Sequence, residues 1–217
     1  MKKLFNSIYA WFFPNSCVFC GEYTKPKIYA CKVCMPEQLI KRNFNIKVLR
    51  RTFFFQTYSL DLYQGDLKDN VEKFKFNGKR VYAKKFAKLL WFYIEKTNLK
   101  DFTAIAFVPM SKKKQKTRHY NQAEILAKEL SKISGITLVN TIKKVKENRT
   151  QHTLSAIERA KNVKGVYSCT SDLRRMNILI VDDIITTGST ICECAKVVYN
   201  SGADNVVGIS IGRPELF

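Results

Sequence analysis

Ile178-Leu179-Ile180-Val181-Asp182-Asp183-Ile184-Ile185-Thr186-Thr187-Gly188-Ser189-Thr190 decides how the rest of the chain is read. The four apolar residues predict a strand buried on both faces. Two adjacent acids end it. A turn of small hydroxyl residues follows, and a helix is expected over Ile191 to Asn200. That order suits a ribose carrying a 5′-phosphate. Asp182 and Asp183 can accept hydrogen bonds from vicinal ribose hydroxyls more strongly than neutral side chains would. Thr186 to Thr190 can offer backbone N–H groups to the phosphate at a helix N-terminus, where the dipole also favours an anion. Gly188 removes the side chain where the backbone must come close. A Ser/Thr helix cap after a core strand is the simpler reading. It leaves the acid pair, and its combination with Thr-Thr-Gly-x-Thr, unexplained.

At 217 residues the chain can hold one α/β domain plus a small module. The hydrophobic share of 46% is that of a globular protein. The net charge of +20 reflects abundant Lys together with only 18 acids. Such a field attracts nucleic acid, an anionic membrane surface or polyphosphate ligands, although a solubility surplus would produce it too. No stretch is long enough to span a membrane. Met1 to Phe13 begins like a signal peptide but lacks a small-residue cleavage site. Leu4, Ile8, Trp11 and Phe12 share one helical face, so the segment reads as an amphipathic helix packed on the body. Peripheral membrane contact is the other reading.

Cys17-Val18-Phe19-Cys20 and Cys31-Lys32-Val33-Cys34 are two C-x-x-C turns with ten residues between them. Each turn can present two thiolates to one side of a metal, and two turns close a tetrahedral four-cysteine site. Gly21 permits the tight backbone of such a knuckle. A redox pair needs only one C-x-x-C, and disulfides do not suit a cytoplasmic chain. Structural Zn²⁺ on Cys17, Cys20, Cys31 and Cys34 is the expectation. Cys169, Cys192 and Cys194 lack ligand spacing and are expected to pack.

Along the rest of the chain, Lys41 to Arg51 is a basic stretch and Thr52 to Tyr58 a strand, expected as half-buried core. Leu67 to Glu95 reads as helix broken at Asn77-Gly78, with Phe86, Leu89, Leu90, Tyr93 and Ile94 inward and a lysine stripe from Lys73 to Lys88 outward. Thr103 to Val108 is a short buried strand, Lys112 to Arg118 a basic loop, and a helix starts near Asn121 with Ala123, Leu126, Ala127 and Leu130 inward. A strand near Thr137 to Val139 precedes Lys143 to Lys164, a long loop with a short helix; Asn205 to Ile211 is the last strand. Alternating strands and helices predict a parallel sheet covered on both faces, with ligands at the carboxyl ends of its strands. The division expected is residues 1–60 as N-terminal helix and zinc module, and 61–217 as the α/β domain.

The run from Ile178 to Thr190 closely resembles the phosphoribosyl-diphosphate (PRPP) signature of type I phosphoribosyltransferases: four apolar residues, two acids, two apolar residues and Thr-Thr-Gly-x-Thr. Other stretches extend the resemblance over essentially the whole chain. They are Pro14-x-x-Cys17-x-x-Cys20 with the second cysteine pair, Lys73-Phe74-Lys75-Phe76-Asn77-Gly78, and Val108-Pro109 with Arg118-His119-Tyr120-Asn121-Gln122-Ala123. Thr150-Gln151-x-x-Leu154 with Glu158-Arg159-x-x-Asn162-Val163-x-Gly165 completes the set. Together they resemble the ComF family of competence-associated, phosphoribosyltransferase-like proteins. His119-Tyr120 stands where that family usually has Gly-Phe. The resemblance implies a type I phosphoribosyltransferase fold with an N-terminal zinc finger. It also implies a role in natural transformation, handling incoming single-stranded DNA in the cytoplasm, with a ComFA-like DNA translocase and recombination mediators as partners.

Two function classes follow. As an enzyme, the chain would bind PRPP with Mg²⁺. Asp182 and Asp183 would be the catalytic pair on the ribose, Thr186, Thr187, Gly188, Ser189 and Thr190 the 5′-phosphate cradle, and Pro109 and Lys112 the diphosphate contacts. Arg149 to Asn162 would close over the site as a lid. As a nucleic-acid-binding protein, Lys112, Lys113, Lys114, Lys116 and Arg118 would bind DNA phosphates, with the Lys73 to Lys88 stripe and Lys143 to Arg149 as further phosphate contacts and Tyr or Phe stacking on bases. A transferase of the purine-salvage or amidophosphoribosyltransferase kind, with no DNA role, explains the signature but neither the cysteines nor the charge.

Overall fold

A computed structural model describes residues 16–25, 28–48, 51–76, 81–97, 99, 101–147 and 156–215, with backbone only at 112, 156, 157, 159 and 160. The helix expected over Met1 to Phe13, the break at Asn77-Gly78, and the Arg149 to Leu154 part of the expected lid lie outside these residues.

Six strands form one mixed sheet. β1 (Ile40–Val48) and β2 (Arg51–Leu62) pair antiparallel at one edge. β2 then runs parallel to β8 (Asn205–Arg213), followed by β7 (Asn177–Ile184), β3 (Ala104–Phe107) and β4 (Thr137–Leu138). β7 and β3 are interior strands, and their apolar runs Ile178–Val181 and Ala104–Phe107 are fully buried, as continuous hydrophobic strands of a two-sided parallel sheet must be. Between β2 and β3 come helices α1 (Gly65–Phe76) and α2 (Val81–Lys96). α3 (Lys112–Arg118) and α4 (Gln122–Ser134) follow β3, and α6 (Ser189–Asn200) joins β7 to β8. β5 (Ile142–Lys144) and β6 (Tyr167–Cys169) form a separate antiparallel pair, with α5 (Ala156–Val163) between them in sequence. One face of the main sheet packs on α1, α2, α4 and the cysteine turns. The other packs on α6 and the β5–β6 pair.

The amphipathic faces expected for α2 and α4 are the buried ones. Asn121 caps α4, its Oδ1 accepting from the Ala123 N–H while its Nδ2 donates to the Val108 carbonyl at 3.0 Å. That one side chain ties the end of β3 to the start of the next helix.

The structure adds detail to three stretches and corrects one of them, the loop expected over Lys112 to Arg118. Lys41 to Arg51 is mostly strand: Arg42, Phe44, Ile46 and Val48 alternate inward while Lys41, Asn43, Asn45 and Lys47 are exposed. The period of two is present in the sequence, but the charge obscures it. Lys112 to Arg118 is helix α3 rather than loop. Ser111 caps it by accepting from the Lys114 N–H at 3.2 Å, and Lys, Gln and Arg are good helix formers. The boundary near residue 60 falls inside β2, whose residues Gln56 to Leu62 pair with β8, so the antiparallel pair belongs to the main sheet.

The cysteine turns are fastened to α1 and α2. Asn70 Nδ2 donates to the carbonyls of Val18 and Phe19, both at 2.8 Å, and Lys85 Nζ donates to the Ser16 carbonyl at 2.9 Å. At the other end of α1 the last carbonyls are captured by the turn between α3 and α4. The Tyr120 hydroxyl donates to the Phe74 carbonyl, and Gln122 Nε2 donates to the Lys75 carbonyl at 3.1 Å. These are groups that a helix C-terminus leaves unpaired. His119, which precedes Tyr120, has φ +63, the left-handed region that glycine enters without steric cost. His119→Gly is therefore expected to raise stability, by about 0.5–1 kcal/mol once glycine's larger unfolded-state entropy is subtracted. Urea unfolding of the two proteins measures this. A less stable glycine variant would show that the histidine ring contributes more than its backbone costs.

Candidate functional site

A cleft of about 420 Å³ opens at the carboxyl ends of β2, β3 and β7. The sheet delivers its walls in order: Tyr63 after β2, Val108 to Ser111 after β3, and Asp182 to Ile185 at the end of β7. α1 adds Glu72, Lys75 and Phe76, α3 adds Lys114 and Arg118, and the β5–β6 pair adds Lys144 and Tyr167.

The acid pair is held by its own backbone. Asp182 Oδ1 accepts from the Asp183 N–H, and Asp183 Oδ1 from the Ile184 N–H, each at 2.8 Å. Desolvation pushes the Asp182 carboxyl well above the usual carboxylate range, and the Asp183 charge pushes it further; Lys75 opposes both. Burial alone would lower the pKa of Lys75. The charge of Asp183 and the hydrogen bonds to Tyr63 and Glu72 outweigh it and hold Lys75 above its ordinary value. Lys75 Nζ lies 3.0 Å from Glu72 Oε1 and 3.1 Å from the Tyr63 hydroxyl, which itself donates to Glu72. Its side chain is only 12% exposed, so it is a fixed cation facing the acids rather than part of a solvated stripe.

The turn after β7 supplies the opposite chemistry. Gly188 is the N-cap of α6 at φ +82, and no side chain caps this helix. Thr187 Oγ1 accepts from the Ser189 N–H at the long distance of 3.4 Å, and a helix N-terminus of this kind favours an anion. Glycine is favoured here on two counts. Its φ is left-handed, and a Cβ there would stand 2.4 Å from Cζ of Phe44. Arg42, two residues before Phe44 on β1, donates through Nη1 to the Thr186 carbonyl at 3.0 Å and stacks on the Phe44 ring at 4.5 Å. β1 therefore holds this turn from behind.

Of the residues expected at a ribose-phosphate site, Pro109, Asp182, Asp183, Thr186, Gly188 and Thr190 line the cleft. Thr187 and Ser189 lie in the same turn but outside its lining, their hydroxyls 2.9 Å apart. Lys112 opens α3, and its side chain is outside the description. Of the basic residues expected to bind DNA, Lys114 and Arg118 face the cleft, whereas Lys113 and Lys116 are exposed and off it. In the Lys73 to Lys88 stripe, Lys73 bonds to Asn70, Lys75 to Glu72, Lys85 to Ser16 and Lys88 to the Tyr29 hydroxyl at 2.7 Å. That stripe is in good part internal fastening; Lys84 stays exposed, and Lys79 and Arg80 lie outside the described residues. Lys144, within the basic stretch Lys143 to Arg149, does line the cleft, and Tyr63, Glu72 and Tyr167 in its wall and Arg42 behind the turn are additions to the expected set. Each addition reaches the site across the fold, without local sequence signal.

The four expected metal ligands do come together. The Sγ atoms of Cys17, Cys20, Cys31 and Cys34 lie within 4.8 Å of one another, and those of Cys20 and Cys31 are 3.8 Å apart. A tetrahedron with metal–sulfur bonds of about 2.3 Å has edges of about 3.8 Å. The Phe19 N–H points at Cys17 Sγ at 3.4 Å, and Gly21 takes φ +81 to close the first turn. This cluster can hold a metal ion. Cys192 and Cys194 are packing residues: burial pushes the Cys192 thiol up to about 12 and also raises that of Cys194.

Comparison with known proteins fits this geometry. The phosphoribosyl transferase domain family matches residues 120–211, which run from the α3–α4 turn through the acid pair into β8. A purine phosphoribosyltransferase from Pyrococcus horikoshii aligns with TM-score 0.34 and 22% identity, covering 61% of this chain and 69% of that one. The protein TT1426 from Thermus thermophilus aligns with TM-score 0.38 and 13% identity, covering 62% and 85%. The stretch that matches the phosphoribosyl transferase domain family contains the acid pair and the glycine turn, and the four-cysteine cluster lies N-terminal to it. The chain is a homologue of proteins named for competence and DNA utilization. Competence protein F of Haemophilus influenzae is 33% identical over 144 residues, 63% of each chain. DNA utilization protein YhgH of Salmonella typhimurium is 31% identical over 141 residues, 63% of this chain and 62% of that one. Competence protein ComFC of Bacillus subtilis is 28% identical over 150 residues, 68% and 59%. The matched segment spans less than two thirds of each relative's length. Among the described residues no helix is long and apolar enough to cross a membrane.

The raised Asp182 pKa makes a stability prediction. The folded state binds this proton more tightly than the unfolded chain, whose Asp titrates near about 3.9. Stability is therefore lost as pH rises through that value towards the folded pKa. Asp182→Asn is expected to be more stable than wild type at pH 7, with the difference closing towards about pH 4. Urea midpoints across pH test it; a less stable variant at neutral pH would show that the charged carboxylate is a net structural asset.

Proposed function

We propose that this chain is a competence-type DNA-handling protein whose cleft binds PRPP with Mg²⁺ and whose cysteine cluster holds a structural Zn²⁺. One observation carries the reading. The acid pair and the glycine-capped N-terminus of α6 border a single cleft, so carboxylates suited to ribose hydroxyls stand beside a helix start suited to a 5′-phosphate. Lys114, Arg118 and Lys144 line the same cleft and would meet the diphosphate. Mg²⁺, when bound, would neutralise diphosphate charge and help to orient the ribose. Fixed cations around a departing diphosphate are the main resource such a site has. Asp182 and Asp183 would hold the ribose, with Lys75 limiting the repulsion between them. Thr187 and Ser189 would act through the shape of the turn rather than from the cleft wall.

The names of the homologues, the net charge of +20 and the basic residues at the cleft support single-stranded DNA in the cytoplasm as the macromolecular ligand. A ComFA-like translocase and recombination mediators fit as partners on the same grounds. A transferase without a DNA role is the second reading. The acid pair favours it, because carboxylates repel a phosphate backbone and a surface built only for DNA would gain nothing from them.

Calorimetry with PRPP and Mg²⁺ tests the site. Asp183→Asn is expected to weaken binding by about 1.5–3 kcal/mol, the usual worth of a hydrogen bond to a charged group. Equal affinity in variant and wild type would remove the acid pair from the ligand. Asp182→Asn should weaken binding while stabilising the fold, a combination that general damage does not produce.

Zinc should co-purify at about one ion per chain, because four thiolates saturate a tetrahedral ion. Chelation or Cys31→Ser should unfold the cysteine turns and lower overall stability, since metal binding and folding are coupled in such modules. Well-folded protein free of any metal by elemental analysis would overturn this.

A further inference from the structure

Phe54, Phe76 and Phe92 are the exposed phenylalanines among the described residues, and of these Phe76 lines the cleft. Phe55, Phe74 and Phe86 are completely buried, but Phe76 is 55% exposed and stands in the cleft wall at the end of α1. One face of its ring is covered by the Arg118 guanidinium, 4.8 Å from the centroid. Arg118 also donates to Gln122 Oε1, at the long distance of 3.5 Å. Lys114 lies one helical turn before Arg118 on α3 and lines the same cleft. Among the described residues neither cation has a carboxylate within ion-pair distance. Glu72, an acid of α1 in the same cleft wall, is already engaged by Lys75.

We infer that Phe76 and Arg118 form a stacking subsite for one unpaired base of a single-stranded DNA at the mouth of the cleft, with Lys114 on the adjoining phosphate. This rests on the reading that the chain binds DNA, and it gives that reading a location. An exposed ring with a cation on one face offers its other face to a flat, electron-rich partner, and every nucleobase has such a face. Duplex DNA keeps its bases stacked inside and cannot use the platform. The two side chains come from elements that are fixed to each other. Tyr120 and Gln122 bond to the carbonyls of Phe74 and Lys75, so the end of α1 and the α3–α4 turn move together. The platform is preorganised, and the strand crosses the same opening through which PRPP would enter. Lys114 serves both, so each ligand should weaken the other.

The test uses the full chain and two single strands of equal length, an oligothymidylate carrying a single 2-aminopurine and a strand with abasic positions throughout. In wild type the 2-aminopurine is expected to be quenched on binding. Phe76→Leu, which keeps the apolar bulk but removes the π face, should abolish the quench. It should also weaken the base-containing strand by about 5- to 150-fold, the range for one base–aromatic stack. Binding of the abasic strand and the slope of log affinity against log salt should stay unchanged, because they report phosphate contacts. Phe76→Trp should restore the quench. If Phe76→Leu binds and quenches as wild type does, the platform is wrong while DNA binding stands. If wild type binds neither strand at low salt, DNA binding itself falls, and the platform with it.

Discussion

Two carboxylates at the end of a buried strand repel each other and lose hydration together, and the fold must bring them a cation. Lys75 is that cation. It sits on α1, a helix fixed at two points along its length. Midway, Asn70 bonds to the first cysteine turn, and at the C-terminal end Tyr120 and Gln122 bond to its last carbonyls. The helix that carries Lys75 into the cleft is thus clamped between the cysteine cluster and the α3–α4 turn. A metal in the cluster would act on the cleft through this clamp, without touching any ligand there. The cysteine module is mechanically part of the site although its chemistry is closed.

The distribution of lysines changes what the net charge of +20 means. Lys73, Lys85 and Lys88 on α1 and α2 point at Asn70, Ser16 and Tyr29 and help to hold the cysteine turns down. Exposed pairs of this kind contribute little each, but here the ammonium groups lie over partly buried acceptors. On α3, Lys114 and Arg118 turn into the cleft and Lys113 and Lys116 turn out. A basic helix of seven residues beside an anion site can serve a diphosphate with one face and a polynucleotide with the other.

What can be read from the chain alone is whatever is local. β7, the glycine turn and α6 are contiguous, so apolar run, acid pair and hydroxyl turn carry their own geometry. The C-x-x-C turns do the same, because each places its two thiolates within four residues. Lys75, Arg42 and Tyr63 cannot be found that way. Lys75 and Tyr63 reach the cleft from α1 and the end of β2, Arg42 reaches the back of its turn from β1, and the strand order β1-β2-β8-β7-β3-β4 brings them there. Lys75 is also masked by its neighbours, since Lys73, Lys79 and Lys84 make it look like one of a solvated row. Arg42 is hidden similarly, in a strand whose outward lysines conceal its alternation.

The antiparallel pair β1–β2 carries the last consequence. Its sequence position suggests the cysteine module, yet β2 completes the sheet against β8, and β1 presses Phe44 on Gly188 and anchors Thr186 through Arg42. Gly188 has two demands placed on it. A left-handed φ favours glycine at any such cap, but other residues tolerate αL at a modest cost. The Phe44 ring adds to that cost, because it would have to move to admit a Cβ. The phosphate turn is therefore shaped from two sides: by the strand that leads into it, and by an edge strand more than a hundred residues earlier in the chain. Removing residues before 61 as a separate module would take away β1 and most of β2. The turn would keep its sequence and lose the surface that holds it in shape.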